Sequence, residues 1–198
     1  VRLDDKQGFD HGCFVPAYVM YPDASVPVFQ ISLQKGYDPA RHLALGRALA
    51  PLRDEGVLII GSGLSYHNLR LFGPGAKEPS DAFDAWLAGV MAKPPAQRSA
   101  DLIAWETAPF ARVCHAKEDH FAPIWAAVGA AEGDVARRVY HDTGLFGGVT
   151  ASSYRSRQRL RGRSTPRTTT SPCRIGKRWR IRAAGTSSGS SAEVQRDW

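Results

Sequence analysis

Four consecutive apolar residues, Val57-Leu58-Ile59-Ile60, stand between Gly56 and a Gly61-Ser62-Gly63 turn and leave this chain few ways to fold. A run so short and so uniformly apolar suits a strand covered on both faces of a sheet. A helix signal precedes it. Asp38-Pro39 supplies an N-cap and a first-turn proline, Leu43, Leu45, Leu49 and Leu52 recur near helical spacing, and Gly56 is a natural stop. Before the helix, residues 27–33 alternate apolar and polar toward their end and read as a strand. Strand, helix, buried strand is the grammar of an α/β protein, so the expectation is a mixed or parallel sheet flanked by helices. In open sheets of that kind ligands collect beyond the carboxyl ends of strands. The stretch Leu64-Ser65-Tyr66-His67-Asn68 sits at such an end, which favours a functional role for His67.

Downstream, Ser80 is expected to cap a second helix, residues 100–106 to form another, and residues 119–129 a third with Pro123 in its first turn. Residues 137–141 read as a strand, and residues 144–153 as a glycine-rich end. The body is therefore expected to span residues 1–154. From Arg155 onward the apolar periodicity stops, and Arg, Ser, Thr and Gly dominate. Such a segment cannot bury enough apolar surface to offset its ordering entropy, so residues 155–198 are expected to be a disordered tail. Charge divides at the same place: 14 basic and 17 acidic residues precede Arg155, against 12 and 2 from it onward, so the body carries −3 and the tail +10 of the total +7. Nucleic-acid binding by the folded part has no support. The tail reads either as an Arg-rich nucleic-acid arm or as non-native sequence, and the abruptness of the change near Tyr154 favours the second.

Cys13, Cys114 and Cys173 are isolated, a count and spacing that fit a reducing cytoplasm better than a disulfide framework. Cys13 and Cys114 read as small buried hydrophobes. No stretch of 18 apolar residues predicts a membrane span, and the first residues lack the apolar core of a signal peptide. No Met opens the chain, which leaves room for a start inside a longer protein. Histidine is the commonest metal ligand and the side chain best suited to proton transfer near neutrality. Of the six, His67 is favoured by position; His120, at a helix start behind Glu118 and Asp119, is balanced between a ligand and a helix-end role. His11, in Gly8-Phe9-Asp10-His11-Gly12, reads on local context as a loop residue held by Asp10 or backbone. His42 is expected on the exposed side of its helix, and His115 and His141 are weak candidates. The Gly61-Ser62-Gly63 turn lacks both the G-x-S-x-G frame and a following GK[ST], so neither a nucleophile elbow nor a phosphate loop fits.

Several motifs taken together resemble one family. They are Gly8-Phe9-Asp10-His11-Gly12, Met20-Tyr21-Pro22-Asp23-Ala24, the run from Leu52-Arg53-Asp54-Glu55-Gly56 to Gly63, His67-Asn68-Leu69-Arg70, Glu118-Asp119-His120-Phe121-Ala122-Pro123, and Leu145-Phe146-Gly147-Gly148 with Thr150-Ala151-Ser152-Ser153-Tyr154. In this order they are similar to the class III extradiol ring-cleavage dioxygenases, in the DOPA-dioxygenase branch. The resemblance implies opening of a catechol-type ring with O₂, next to the hydroxyls, at Fe(II) or Zn(II). It implies that His67 is the acid/base histidine and, with His120, one of the metal residues, that His11 is a catalytic histidine contacting substrate and oxygen, and that Asn68 belongs to the substrate site. It also implies two more metal histidines in an N-terminal segment, in motifs like HGSP and SAHW that do not occur here. The sheet is accordingly expected to be incomplete at the N-terminus and the activity impaired. The alternative is a non-catalytic remnant or aromatic-binding module without a complete metal site.

Overall fold

Asp38 begins the body as its sequence suggests: its carboxylate accepts from the Arg41 N–H at 2.7 Å, and Pro39 starts the helix. In the computed structural model described here, the described residues are 6–157, with the backbone of 179–181 and 194–196. They fall into two units, one built from residues 6–32 and the two short C-terminal segments, the other from residues 33–157.

In the first unit, α1 (His11–Met20) is capped by Asp10, whose carboxylate accepts from the Cys13 N–H at 3.0 Å. Strands β3 (Trp179–Ile181) and β4 (Val194–Arg196) pair antiparallel. The rest of the expected tail, Cys173 included, lies outside the described residues. Residues 27–33 form no strand, because a strand exists only with a partner and none pairs with them among the described residues.

The second unit is mainly helical. It comprises α2 (Pro39–Leu49), α3 (Lys77–Met91), α4 (Pro95–Ile103), the short α5 (Ala111–Cys114) and α6 (Pro123–Ala130). A 3₁₀ turn continues α2 to Glu55 and ends at Gly56, whose φ of 88° needs a residue without a Cβ. Two expected starts move. Pro95 takes the first position of α4 and draws it ahead of residue 100. Helix α3 begins at Lys77, so Ser80 is not its cap. The Ser80 hydroxyl is buried, donates to the Lys77 carbonyl (3.1 Å) and accepts the Thr150 N–H (2.9 Å).

Strands β1 (Val135–Leu145) and β2 (Val149–Arg157) form an antiparallel hairpin, with Arg138 opposite Tyr154 and His141 opposite Ser152. An irregularity between Arg138 and Tyr140 leaves one extra residue on β1, a bulge that sharpens its twist. Helix α3 packs on this hairpin, and α2 packs on α6 through two glycines. A Cβ on Gly46 would lie 2.1 Å from the Ala126 carbonyl oxygen, and one on Gly129 2.2 Å from that of Leu43. The core between these layers holds Leu43, Phe83, Leu87, Trp105, Phe121 and Trp125. Each such side chain contributes on the order of 1.5–3 kcal/mol by leaving water.

The expected parallel sheet is not formed among the described residues: both ladders are antiparallel. Residues 57–60 are not a strand buried on two faces either. Leu58 is 67% exposed and Ile60 50%, while Val57 and Ile59 are half-buried. The apolar run encodes readiness for burial on both sides, but among the described residues only one side finds a covering layer. Among the described residues no helix is long and apolar enough to cross a membrane.

Candidate functional site

The loop after residue 60 reaches the start of α6 because it carries glycines. A Cβ on Gly61 would stand 2.5 Å from the Pro123 carbonyl oxygen, and one on Gly63 2.1 Å from that of His120. That closeness lets the Leu64 N–H donate to the His120 carbonyl at 3.0 Å. Three residues on, the His67 N–H donates to the Cys114 carbonyl at 3.0 Å, at the end of α5. The two ties bring the rings of His67 and His120 into a face-to-face stack, 3.4 Å between centroids and 16° from parallel. Asp119 joins them. Its Oδ1 accepts the His120 N–H at 3.0 Å and lies 3.1 Å from His120 Nδ1. Burial alone would raise the Asp119 carboxyl, but hydrogen bonding and the charge of His120 outweigh it and hold it below its ordinary value.

One donor atom from each of His67, Asp119 and His120 lies within 4.8 Å of the others, the one such group among the described residues. All three residues are half-buried, so the cluster is reachable. Imidazole and carboxylate donors stand about 2.0–2.2 Å from a bound zinc, so a slight closing of this group would suffice for a small divalent cation. The donor types fit iron or zinc. The ring planes add a constraint. An imidazole lone pair lies in its own plane, so two parallel stacked rings do not aim at one shared point. His120 has its Nδ1 3.1 Å from the Asp119 carboxylate, a carboxylate–histidine pairing that metal-bound histidines commonly show.

His115 supports the cluster from below. It is fully buried, its Nε2 donates to the Ser65 carbonyl at 3.1 Å, and its ring lies 4.9 Å from that of Phe121. Burial pushes its pKa down to about 4, so it serves as a neutral spacer near pH 7. Burial likewise pushes the Cys114 thiol up to about 12, consistent with the small buried hydrophobe expected there. Cys13 is only half-buried.

His42 departs from expectation. It is fully buried, with Nδ1 donating to the Asp38 carbonyl (2.7 Å) and Nε2 accepting the Gln34 N–H (3.1 Å). The leucine spacing misjudged the buried face of α2, which α6 sets through Gly46. Both polar ends of Asn68 are engaged: Nδ2 donates to the Val113 carbonyl in α5 at 2.7 Å, and Oδ1 accepts the Arg70 N–H within its own turn at 3.0 Å. His141 stands on the hairpin, with Nδ1 3.1 Å from Ser152 Oγ and 3.4 Å from Asp84 Oδ2. His11 is the first residue of α1 and belongs to the first unit. The second unit thus joins two of the four residues singled out, His67 and His120, and adds Asp119, which sequence reasoning passed over. Its one signal was adjacency to His120 in Glu118-Asp119-His120.

His120 also borders a cavity of about 430 Å³ between residues 57–65, α6 and residues 152–156.

Residues 1–155 match the family model described as the catalytic LigB subunit of aromatic ring-opening dioxygenase. The 4,5-DOPA dioxygenase extradiol of Beta vulgaris is 38% identical over 159 residues, covering 78% of this chain and 58% of that protein. The dioxygenase tasH of Hapsidospora irregularis is 36% identical over 170 residues, covering 78% and 51%. An uncharacterized protein of Escherichia coli K12 with a solved crystal structure is similar at a TM-score of 0.66 and 26% identity, covering 75% of this chain and 62% of that one. The chain spans about half the length of the curated relatives it matches.

Proposed function

The chain belongs to the LigB family of aromatic ring-opening dioxygenases, and from that premise we propose that it forms part of the catalytic centre of a metal-dependent extradiol dioxygenase acting on a catechol-type substrate with O₂. The observation that carries the reading is the flat stack of His67 on His120. It supports separate roles for the two rings. His120 would hold Fe(II) or Zn(II) through Nε2, with Asp119 orienting the ring through Nδ1 and able to turn a carboxylate oxygen to the ion. When bound, an iron ion supplies a place where catechol oxygens and O₂ meet. His67 stands beside the metal without a lone pair aimed at the same point, which suits a group that accepts a catechol hydroxyl proton and returns it later. The glycine loop and the Cys114 carbonyl fix His67 from the backbone, so its ring can exchange a proton without losing its position. By resemblance His11 contacts substrate and oxygen. Asn68, by resemblance a substrate contact, also braces the loop that carries His67.

A mixed or parallel sheet, completed by polypeptide N-terminal to the matched span, is part of the same proposal. The strand-like patterns of residues 27–33 and 57–60 support it. On this reading the chain by itself is impaired, because further ligands are expected from that segment.

The test is a fusion of this chain to the portion of the Beta vulgaris relative that it does not match. Catechol-dependent O₂ uptake is expected from the fusion. His67→Ala should lower that uptake roughly 10²–10⁴-fold while bound metal stays near stoichiometric, and His120→Ala should lose metal. Full activity in His67→Ala, or full metal retention in His120→Ala, would overturn the roles assigned. A fusion that binds metal and catechol without consuming O₂ would favour the non-catalytic, aromatic-binding alternative.

A further inference from the structure

The short helix α5 touches both histidine segments of the candidate centre. Its last two carbonyls face residues 67 and 68: Cys114 accepts the His67 N–H at 3.0 Å, and Val113 accepts from Asn68 Nδ2 at 2.7 Å. The helix is itself pinned. Ala111 and Cys114 are buried, and Cys114 Sγ donates to the Pro79 carbonyl of α3 at 3.3 Å. The chain enters α5 through Phe110, whose φ of 56° lies in the left-handed region. A residue with a side chain keeps that conformation only where its surroundings enforce it. The His120 segment reaches the same helix by another route, through Arg112.

Arg112 extends from α5 to the Glu118–His120 turn. Its Nη1 lies 2.7 Å from Glu118 Oε1, and its Nη2 donates to Glu106 Oε1 at 2.5 Å. The guanidinium carbon stands 4.8 Å from the centroid of the buried Trp105 ring. Ring and second carboxylate together hold the planar group in place, so little freedom is lost when Glu118 joins. The Glu118 side chain is 19% exposed against 57% for Glu106, which makes the Glu118 arm the less screened of the two. With Glu118 held toward α5, its neighbour is the acid that faces His120: Asp119 Oδ1 lies 3.1 Å from His120 Nδ1. The Glu118 carbonyl accepts the N–H groups of Phe121 (2.9 Å) and Ala122 (2.7 Å), so the turn moves with Glu118 as one piece.

We propose that Arg112 is a positioning residue of the ring-opening centre: by clamping Glu118 to α5 it sets the height of His120 over His67. The inference rests on the reading of His67 and His120 as the acid/base and metal-holding pair. His67 hangs from the α5 main chain and the His120 turn from an α5 side chain, so one helix is the common reference for rings 3.4 Å apart. The main-chain bond from Leu64 to the His120 carbonyl is one fixed point on the turn, and a single point leaves a rotation about itself. Arg112 supplies the second point. Its role is placement more than stability, because the side chain is 45% exposed and ion pairs so exposed contribute little to the folded state.

The test reads the histidine ring protons of this chain by NMR, without metal. In the parent protein the stack predicts ring-to-ring cross-relaxation between His67 and His120, with ring protons shifted upfield on both. Arg112→Met keeps a stem over Trp105 but removes the guanidinium, and should abolish the cross-relaxation. Glu118→Ala should do the same, and the double variant no more than either alone. Glu106→Ala, on the other side of the guanidinium, should leave the stack in place. Arg112→Lys still reaches Glu118 with one N–H and should restore it. Urea midpoints of all these variants should stay close to that of the parent, which separates placement from folding; if Arg112→Met does not fold, Glu118→Ala gives the same reading. In the fusion described above, Zn(II) should bind about tenfold more weakly with Arg112→Met. Absence of ring contact in the parent, retention of it in Arg112→Met or Glu118→Ala, or equal loss in Glu106→Ala would overturn the proposal. A fusion that binds no Zn(II) with Arg112 intact would defeat the dioxygenase reading instead, while the ring contact still judges Arg112.

Discussion

Replacing Gly46 by alanine should destabilise the second unit, although alanine is the better helix former. The new Cβ would lie 2.1 Å from the Ala126 carbonyl oxygen, 2.7 Å from the Ala130 nitrogen and 2.9 Å from the Ala126 carbonyl carbon. All three are backbone atoms of α6, so no side-chain rotation relieves the clash, and the helices must part by roughly an ångström. Overpacking of this kind costs about 1–3 kcal/mol, and contacts with backbone place it toward the top of that range. Helix propensity returns about 1 kcal/mol, leaving a net loss of about 2 kcal/mol. Gly89 is the internal control. It sits inside α3 with nothing within 4 Å of an added Cβ, so Gly89→Ala should gain about 0.5–1 kcal/mol. Urea unfolding followed by tryptophan fluorescence reads both, since Trp105 and Trp125 are buried in the core that α2 and α6 share. The midpoints should move in opposite directions at constant slope. A Gly46→Ala protein as stable as the parent would refute the close-crossing argument, and so would equal losses at the two positions.

Glu132 should make stability depend on acid pH. Its carboxylate takes two bonds from Arg47, at 2.8 and 2.6 Å, and one from Ser99 at 2.8 Å, and the Arg47 bond foremost holds its pKa down to about 2. A depressed carboxyl stabilises the fold above its ordinary value of 4.5, and that contribution is lost as pH falls from there toward about 2. Both partners are partly exposed, so the effect should be about 1 kcal/mol. Glu132→Gln should flatten the fall in urea midpoint between pH 6 and 3, and an unchanged fall would count against the assignment. Ser80→Ala removes the acceptor of the buried Thr150 N–H and should cost about 1–3 kcal/mol in the same urea experiment. A loss below 0.5 kcal/mol, on the order of a surface change, would mean another group accepts that amide.

Local chemistry was legible in the residues themselves. Asp38-Pro39 starting α2, Gly56 ending the turn after it, Pro123 opening α6 and a strand through residues 137–141 all depend on bonds made within a few positions. The family motifs also pointed to His67 and His120 before any geometry was known. Whatever needed a partner from far along the chain was not legible. Among the described residues, 27–33 and 57–60 carry strand patterns without ladders, because pleat preference is local and pairing is not. His42 went inside because α6 crosses α2 at Gly46, a choice no periodicity within α2 encodes. Fifty-three positions separate His67 from His120, and two main-chain bonds, Leu64 to His120 and His67 to Cys114, stack the rings. Sequence names side chains and their local turns. The relative placement of two rings within 3.4 Å is decided only once separate segments share a core.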